Sequence, residues 1–162
     1  MSNEAGENQG DNTQAPEGPV LSLERVYLKD VSFESPNSPD VFAMQGGNPE
    51  ISIQINMGHR QLGNEGFYEV VLNINATAKL EEKTVFLAEV QQAGLFMIKG
   101  VPEEELTKVL EIACPNILLP FVREAVNDFV TKGGFPQLLI NPVNFEALYI
   151  QKQAAQQAQA KH

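Results

Sequence analysis

Apolar and polar residues alternate along four stretches in the first two thirds of the chain, which is the period of a β-strand with one buried face. The stretches cover residues 21–34, 51–57, 68–78 and 84–92. The second is the clearest, because polar residues separate Ile51, Ile53, Ile55 and Met57. The pattern therefore predicts a sheet with an apolar face and a polar face.

Short connections join the predicted strands, which favours antiparallel neighbours over parallel strands with crossover helices. Prolines and serines at 35–39 end the first strand. Residues 58–66, including His59 and Arg60, are expected to form a loop. The fourth strand is expected to continue to 98 past a bulge at Gly94.

The last third of the chain has helical periodicity instead. Pro102 and the three glutamates after it predict the start of a short helix, because acidic residues suit the positive end of a helix. A long, apolar-rich helix is predicted across residues 114–132. Asn116 is expected to cap its start, and the pair Gly133-Gly134 is expected to end it.

These elements predict an α+β fold, in which helices cover one face of a four-stranded antiparallel sheet. One domain is expected over residues 20–150. Residues 1–19 contain acids, amides, glycine and proline but no lysine, arginine or aromatic residue, which predicts a disordered acidic tail. A last helix opening at Pro142 or Asn144 is expected to lead into a flexible, Ala/Gln-rich tail over 151–162.

The long helix carries more apolar surface than one sheet can cover, and the sheet has open edges that invite strand pairing. Both features favour self-association. The interface is expected on the long helix, at Leu118, Val122, Val126 and Phe129.

Composition narrows the choice of partners. The formal net charge of -10 argues against binding to nucleic acid or to an anionic membrane, since both require a basic surface. It suits basic or unfolded partners better. The single cysteine excludes an intramolecular disulfide and a Cys-rich structural zinc site. No leader pattern and no run of membrane-spanning length occurs, so a cytoplasmic protein is expected.

No arrangement of residues indicates catalysis. Cys114 precedes a proline, and the histidines lie far apart at positions 59 and 162, so we interpret Cys114 as a small buried residue at a helix start. The acidic groups at 81–82 and 103–105 fit a turn and a helix start. No glycine-rich nucleotide-binding pattern occurs. We therefore expect neither an enzyme nor a cofactor, and no metal site in this chain.

Three long motifs make the chain recognisable. CPNILLPFVRE, GGFPQLLINPVNFEALY and, upstream, YLKDVSFESPNSPDVF closely resemble SecB, the bacterial export chaperone. The resemblance covers residues 25–149 and is far more specific than a short pattern. It implies a dimer of dimers, in which first strands pair across the dimer and the long helices lie between two sheets.

The resemblance also suggests a role for the aromatic residues. It implies a long groove that binds extended, unfolded segments through apolar contacts. The residues expected there are Phe33, Phe42, Phe121, Phe135, Phe145 and Tyr149. Ordinary core packing is the alternative for each of them. The chain lacks the tryptophan that better-known members carry in the segment after the first strand and has Gly46-Gly47 near that place.

Two further motifs, Lys-Asp-Val-Ser-Phe-Glu at 29–34 and Phe-Leu-Ala-Glu at 86–89, match those that form an acidic face in the family. The residues concerned are Asp30, Glu34, Leu87 and Glu89. The resemblance implies that the SecA motor docks there through its basic C-terminal tail, which holds a zinc ion of its own. Taken alone, the same residues fit a solvated sheet face. Ala88 stands at the position where the resemblance implies a cysteine in other members, which is a small apolar exchange.

The function implied by the resemblance is ATP-independent. A homotetrameric chaperone would capture precursor proteins before they fold and deliver them to SecA. Weak contacts at several linked sites would give high apparent affinity without a strict sequence motif. The alternative from a different class is a SecB-like chaperone dedicated to one partner, such as an antitoxin, which need not bind the motor.

Overall fold

The computed structural model describes residues 18–63 and 65–160, so residues 1–17 of the predicted disordered tail 1–19 lie outside this part. The strands are β1 Val20–Glu34, β2 Glu50–Gln61, β3 Phe67–Leu80 and β4 Lys83–Lys99. A short 3-10 helix, Asp40–Ala43, lies between β1 and β2. The helices are α1 Glu103–Lys108, α2 Cys114–Lys132 and α3 Phe145–Ala160, with a π-helical turn, Val109–Ala113, between α1 and α2. The predicted α+β class is confirmed.

The sheet is antiparallel throughout, and its strand order is β1-β4-β3-β2. β2, β3 and β4 form a meander, while β1 crosses over to pair with β4, so β1 and β2 are the edges. Glu81 and Glu82 both have positive φ, 48° and 68°, which is the geometry of a tight two-residue hairpin turn. The chain therefore reverses sharply between β3 and β4.

β2 is longer than predicted. It continues to Gln61, so His59 and Arg60 pair with Val70 and Glu69 instead of lying in a loop. The prediction of a loop over 58–66 was wrong for these residues, because polar residues on a strand edge give no apolar alternation to detect.

The bulge expected at Gly94 is also absent from β4. Gly94 pairs with Val26 and with Val70, and the register shifts lie elsewhere, in β1 next to Glu24 and Lys29 and in β4 at Val85. A Cβ atom on Gly94 would lie 2.9 Å from the Leu118 side chain. Glycine is needed there because α2 packs closely on β4.

α1, the π-helical turn and α2 run on without a break, so Asn116 does not cap a helix. The residue before α2, Ala113, already has helical dihedral angles, and Pro115 is accommodated at the start of α2. α2 ends where predicted. Gly134 has a φ of 89°, and the amide of the next residue, Phe135, donates to the carbonyl oxygen of Val130.

The side chain of Asn144 accepts a hydrogen bond from the amide of Ala147 at 3.0 Å and caps α3. The helix then continues through residues 151–160, which we expected to form a flexible tail. Alanine and glutamine favour helix, and the last turns are largely exposed. No helix in the described residues is long and apolar enough to span a membrane.

The two faces of the sheet differ. On the face packed against α2, the covered face, Val70, Leu72, Ile74 and Val90 have no exposed surface. The alternate residues of the same strands form the open face. Because cross-strand partners share a face, the register places the Lys-Asp-Val-Ser-Phe-Glu and Phe-Leu-Ala-Glu motifs side by side.

Candidate functional site

Four phenylalanines from different segments form an aromatic cluster, which we define as Phe33, Phe42, Phe86 and Phe135. Phe33 stacks on Phe86 with ring centroids 6.0 Å apart. Phe135 lies 5.3 Å from Phe86 and 5.3 Å from Phe42. These are ordinary distances for favourable ring contacts. The structure thus connects three of the six predicted groove residues through a fourth ring.

Phe86 was not among the predicted groove residues. Its alternation marks it only as a strand residue on the apolar side, and sequence alone gives no sign of the rings above it. It is 3% exposed and forms the base of the aromatic cluster, whereas Phe42 is 54% exposed at the rim. The cluster therefore combines a fixed, buried base with an accessible apolar edge.

Two glycines at the end of α2 make room for this cluster. A Cβ atom on Gly133 would lie 2.3 Å from the Phe33 ring, and one on Gly134 would lie 3.2 Å from the Phe42 ring. The pair therefore has two roles. It ends α2, and it leaves bare backbone against which the two rings pack.

The structure does not bring the other three predicted aromatic residues into this cluster. Phe121 lies on α2, is 40% exposed, and makes none of the ring contacts found among the described residues. Phe145 is 2% exposed and therefore belongs to the core. Phe145 and Tyr149 line a separate cavity of about 260 Å³ between β2, the π-helical turn and α3, together with Met57 and Leu148.

The predicted acidic residues do share one surface. Glu34 pairs with Leu87, Ser32 pairs with Glu89, and Asp30 pairs with Gln91, so their side chains lie in neighbouring rows on the open face. Leu87 is 38% exposed. We call Asp30, Glu34, Leu87 and Glu89 the acidic patch. Its three carboxylates make no ion pair with any residue in the described part of the chain.

The predicted interface on α2 needs correction. Leu118, Val122 and Val126 have no exposed surface, because they pack against the chain's own sheet, so they cannot contact a second subunit. Phe129 is partly buried. The wide apolar arc of α2 is used mostly inside the subunit, and periodicity does not distinguish an internal contact from an external one.

The exposed side of α2 is polar and contains a groove of about 470 Å³. Arg123, Glu124 and Asp128 are among its lining residues. The Nε atom of Arg123 is buried and has no hydrogen-bond partner among the described residues. Buried N–H groups normally have an acceptor, so this N–H is available to donate a hydrogen bond to an acceptor outside the described residues.

Glu69 holds three donors together at the other end of the open face. The Lys29 Nζ atom lies 3.0 Å and the Arg60 Nε atom 3.1 Å from its Oε1 atom, and the Tyr27 hydroxyl donates to Oε2. Glu69 is 5% exposed. Burial alone would raise its pKa, but the hydrogen bonds from Tyr27, Lys29 and Arg60 outweigh burial and lower the pKa to about 2.

Cys114 has no exposed surface, and burial raises the pKa of its thiol to about 12. A buried thiol that stays protonated is neither accessible nor reactive, since the thiolate is the nucleophile. His59 lies 3.9 Å from the buried Glu111 carboxylate, to which Lys152 of α3 also donates a hydrogen bond. These contacts anchor α3 to the sheet and the π-helical turn.

Comparisons with known proteins agree with these sequence motifs. The family model for the preprotein translocase subunit SecB matches residues 14–156. The protein-export protein SecB of Chromobacterium violaceum is 52% identical over 142 residues, which is 88% of this chain and 93% of the relative. That of Hahella chejuensis is 46% identical over 159 residues, or 94% and 99% of the two chains.

The fold is also similar to that of a solved structure. It is a SecB-like chaperone of Mycobacterium tuberculosis in complex with a peptide from an antitoxin. The TM-score is 0.63, with 18% sequence identity over 76% of this chain and 90% of that chain. At this identity the likeness supports the architecture alone.

Proposed function

The chain belongs to the SecB family and is a chaperone of protein export; we propose that it holds unfolded precursors and transfers them to the SecA motor without ATP. The observation that carries the mechanism is the pair of separate surfaces on one subunit. The aromatic cluster offers apolar contacts beside α2. On the opposite face of the sheet, the acidic patch offers carboxylates that make no ion pair with any described residue. A subunit could therefore hold a client and meet the motor at once.

Client binding would use the exposed rim of the aromatic cluster. An unfolded chain presents apolar side chains that a folded protein buries, and Phe42 and Phe135 could receive them with little demand on sequence. The buried position of Phe86 supports this role, because a fixed base lets the rim bind without reorganising. Retention would compete with folding, so slowly folding precursors would be held longest.

Motor docking would use the acidic patch. A basic tail on SecA complements Asp30, Glu34 and Glu89, and such complementarity speeds encounter and sets orientation. The partial exposure of Leu87 supports an apolar contact at the centre of the patch. The zinc ion would belong to the SecA tail.

The proposed assembly is a homotetramer, a dimer of dimers. β1 is an edge strand with Leu21 and Leu28 exposed, which suits pairing with a second β1. The second interface would use the exposed side of α2, where Arg123, whose Nε atom has no partner among the described residues, would meet a carboxylate of another subunit. Glu124 and Asp128 lie in the same groove, so the surface is self-complementary in charge.

A chaperone dedicated to one partner is the less favoured alternative. The relatives near 50% identity are export proteins, whereas the antitoxin-bound structure shares only the fold. A substitution in the acidic patch distinguishes the two functions. In a chaperone dedicated to an antitoxin, Glu89→Lys should leave client binding intact and affect no other activity, because such a protein does not dock on SecA. In an export chaperone, the same substitution should weaken SecA binding.

The deciding experiment combines gel filtration with light scattering. The protein is run alone and with one precursor, presented either unfolded or native. We expect a tetramer whose mass increases only with the unfolded precursor. A monomer, or equal binding to the native form, would contradict the proposal. Glu89→Lys should abolish co-elution with SecA while client binding remains, and unchanged SecA binding would reject the docking role.

A further inference from the structure

The acidic patch continues into a groove on the open face of the sheet. The groove has a volume of about 380 Å³ and reaches from β1 across β4 and β3 to β2. Beside Glu34, Leu87 and Glu89, it is lined by Gln54, Asn75 and Thr77, which lie outside the family motifs quoted above. The patch is therefore one half of a larger concave surface.

Strand register organises this surface into two rows. Gln54, Asn75 and Glu89 are successive cross-strand partners, and Ser32 completes their row on β1. Thr77, Leu87 and Glu34 lie in the neighbouring row. Cross-strand partners have their side chains about 5 Å apart, so an extended peptide lying across the strands would meet an amide and a carboxylate in sequence.

One side chain on the floor of the groove has an unmet hydrogen-bonding capacity. The Oδ1 atom of Asn75 has no hydrogen-bond partner among the described residues, although it is enclosed by its neighbours. Buried carbonyl oxygens normally have a donor, and leaving one unpaired is costly. The side chain as a whole is only half-buried, so rotation could present this oxygen to a donor arriving in the groove.

The charge of the groove selects the kind of partner. Its lining contains two carboxylates and no basic side chain, while its two amides and two hydroxyls can all accept hydrogen bonds. A ligand rich in N–H donors and positive charge fits this combination. An acidic peptide, a nucleic acid or an anionic lipid would meet like charge and unmatched acceptors.

We propose that Gln54, Asn75 and Thr77 complete a four-strand docking groove for a basic, extended segment of the motor's tail. This inference rests on the proposed docking of SecA at the acidic patch. The carboxylates of Glu34 and Glu89 attract the segment, and the Asn75 and Gln54 side chains then accept N–H groups from it. The two glutamates of the groove thus attract the positive charge of the segment, and the two amide side chains select for N–H groups at matching positions.

The test uses the full-length protein and a synthetic, zinc-loaded peptide with the sequence of a SecA tail, with Kd measured by calorimetry. Asn75→Ala and Gln54→Ala are each expected to weaken binding about 5- to 10-fold, the usual effect of losing one hydrogen bond. Asn75→Asp keeps an acceptor and should bind at least as tightly as the wild type. Gln61→Ala is the matched control, because Gln61 lies on β2 but seven residues from Gln54 and so on the opposite face.

Measurements at low and high salt distinguish the contribution of the charges from that of the hydrogen bonds. Screening weakens charge interactions, so the affinity ratio between the wild type and Glu89→Gln should shrink from low to high salt. The ratio for Asn75→Ala should stay nearly constant. Melting curves of all variants show whether any change in Kd reflects misfolding.

The outcomes distinguish the inference from the proposal beneath it. If Glu89→Lys abolishes peptide binding while Asn75→Ala and Gln54→Ala bind like the wild type, the extended groove is refuted and docking at the acidic patch stands. If the wild type does not bind the peptide, or Glu89→Lys binds unchanged, the docking proposal fails and the inference fails with it. Weakening by both alanine variants, with Gln61→Ala unchanged, supports the inference.

Discussion

The two faces of the sheet have different roles, although the same strands form them. The covered face stabilises the fold, and the open face presents a polar surface. On the covered face, Ile74 and Val90 are fully buried beneath α2 and contribute stability through apolar contact. On the open face, polar side chains dominate, and their stabilising contact is the Glu69 network rather than a packed layer. Between that network and the turn after β3, the carboxylates of Asp30, Glu34 and Glu89 make no ion pair with any other described residue. A binding surface is available there because the fold does not depend on it.

Truncating matched leucines on the two faces should separate them most clearly. Leu118→Ala removes a fully buried side chain where α2 meets β4, and should lower the free energy of unfolding by about 3–4 kcal/mol. Leu87→Ala, on the open face, should cost less than about 1 kcal/mol. Urea denaturation measures both. Similar losses at the two sites would show that the open face is also part of the stabilising core.

On the open face, the Glu69 network, which consists of Glu69 and its donors Tyr27, Lys29 and Arg60, should contribute most to stability. Glu69→Gln would leave Lys29 and Arg60 without their carboxylate and should cost roughly 2–3 kcal/mol at pH 7. The folded-state pKa of Glu69, about 2, lies below the ordinary value of 4.5. The contribution is therefore complete above about pH 4.5 and is lost as the pH falls towards 2.

Denaturation of the wild type and Glu69→Gln between pH 3 and pH 7 checks this sign. The difference in unfolding free energy should narrow steadily as the pH falls below 4.5. A difference that stays constant down to pH 3 would mean that ionised Glu69 is not the source of the stability.

Gly133→Ala should produce a smaller effect that links stability to client binding. Gly133 has an ordinary helical φ, so alanine would normally be tolerated, but its Cβ atom would displace the Phe33 ring. We expect a loss of about 1–2 kcal/mol in unfolding free energy, typical of overpacking, and weaker binding of an unfolded precursor. Adding Phe33→Leu should recover part of the stability but not the binding. Full recovery of both would show that the aromatic cluster does not contact clients.

Local patterns predicted the parts of this fold that depend on neighbours in sequence. Alternation located all four strands, and Gly134 ended α2 because only a residue that tolerates positive φ can do so. The errors concern contacts between distant segments. The apolar side of α2 could have faced the chain's own sheet or a second subunit, and periodicity is the same in both cases. Only the packing of Leu118 on β4 decides it.

The candidate sites also differ in whether their residues are close together in sequence or come from distant segments. The resemblance to the family selected the residues of the acidic patch, and the pairing of β1 with β4 brings them onto one surface because they lie in two short motifs on neighbouring strands. Their role in docking stays a prediction. The aromatic set could not be placed on one surface in advance, because six residues from five segments have no fixed spacing. Phe145 entered the core and Phe121 remained on α2, whereas Phe86, an unremarked strand residue, became the base of the aromatic cluster.

Arg123→Ala should have the smallest effect on the isolated subunit and a large one on assembly. The side chain lies in the groove on the exposed side of α2, and its Nε atom has no acceptor among the described residues, so removing it should change the subunit's unfolding free energy by less than about 0.5 kcal/mol. If this guanidinium pairs with a carboxylate of another subunit, its loss should convert the tetramer to dimers, as measured by light scattering over a range of concentrations. Lys108→Ala is the matched control, because Lys108 is an exposed basic residue on α1 whose surface pair with Glu105 contributes little. A variant at position 123 that remains a tetramer would exclude this side of α2 as the interface, and would leave the β1 edge as the surface through which the subunits associate.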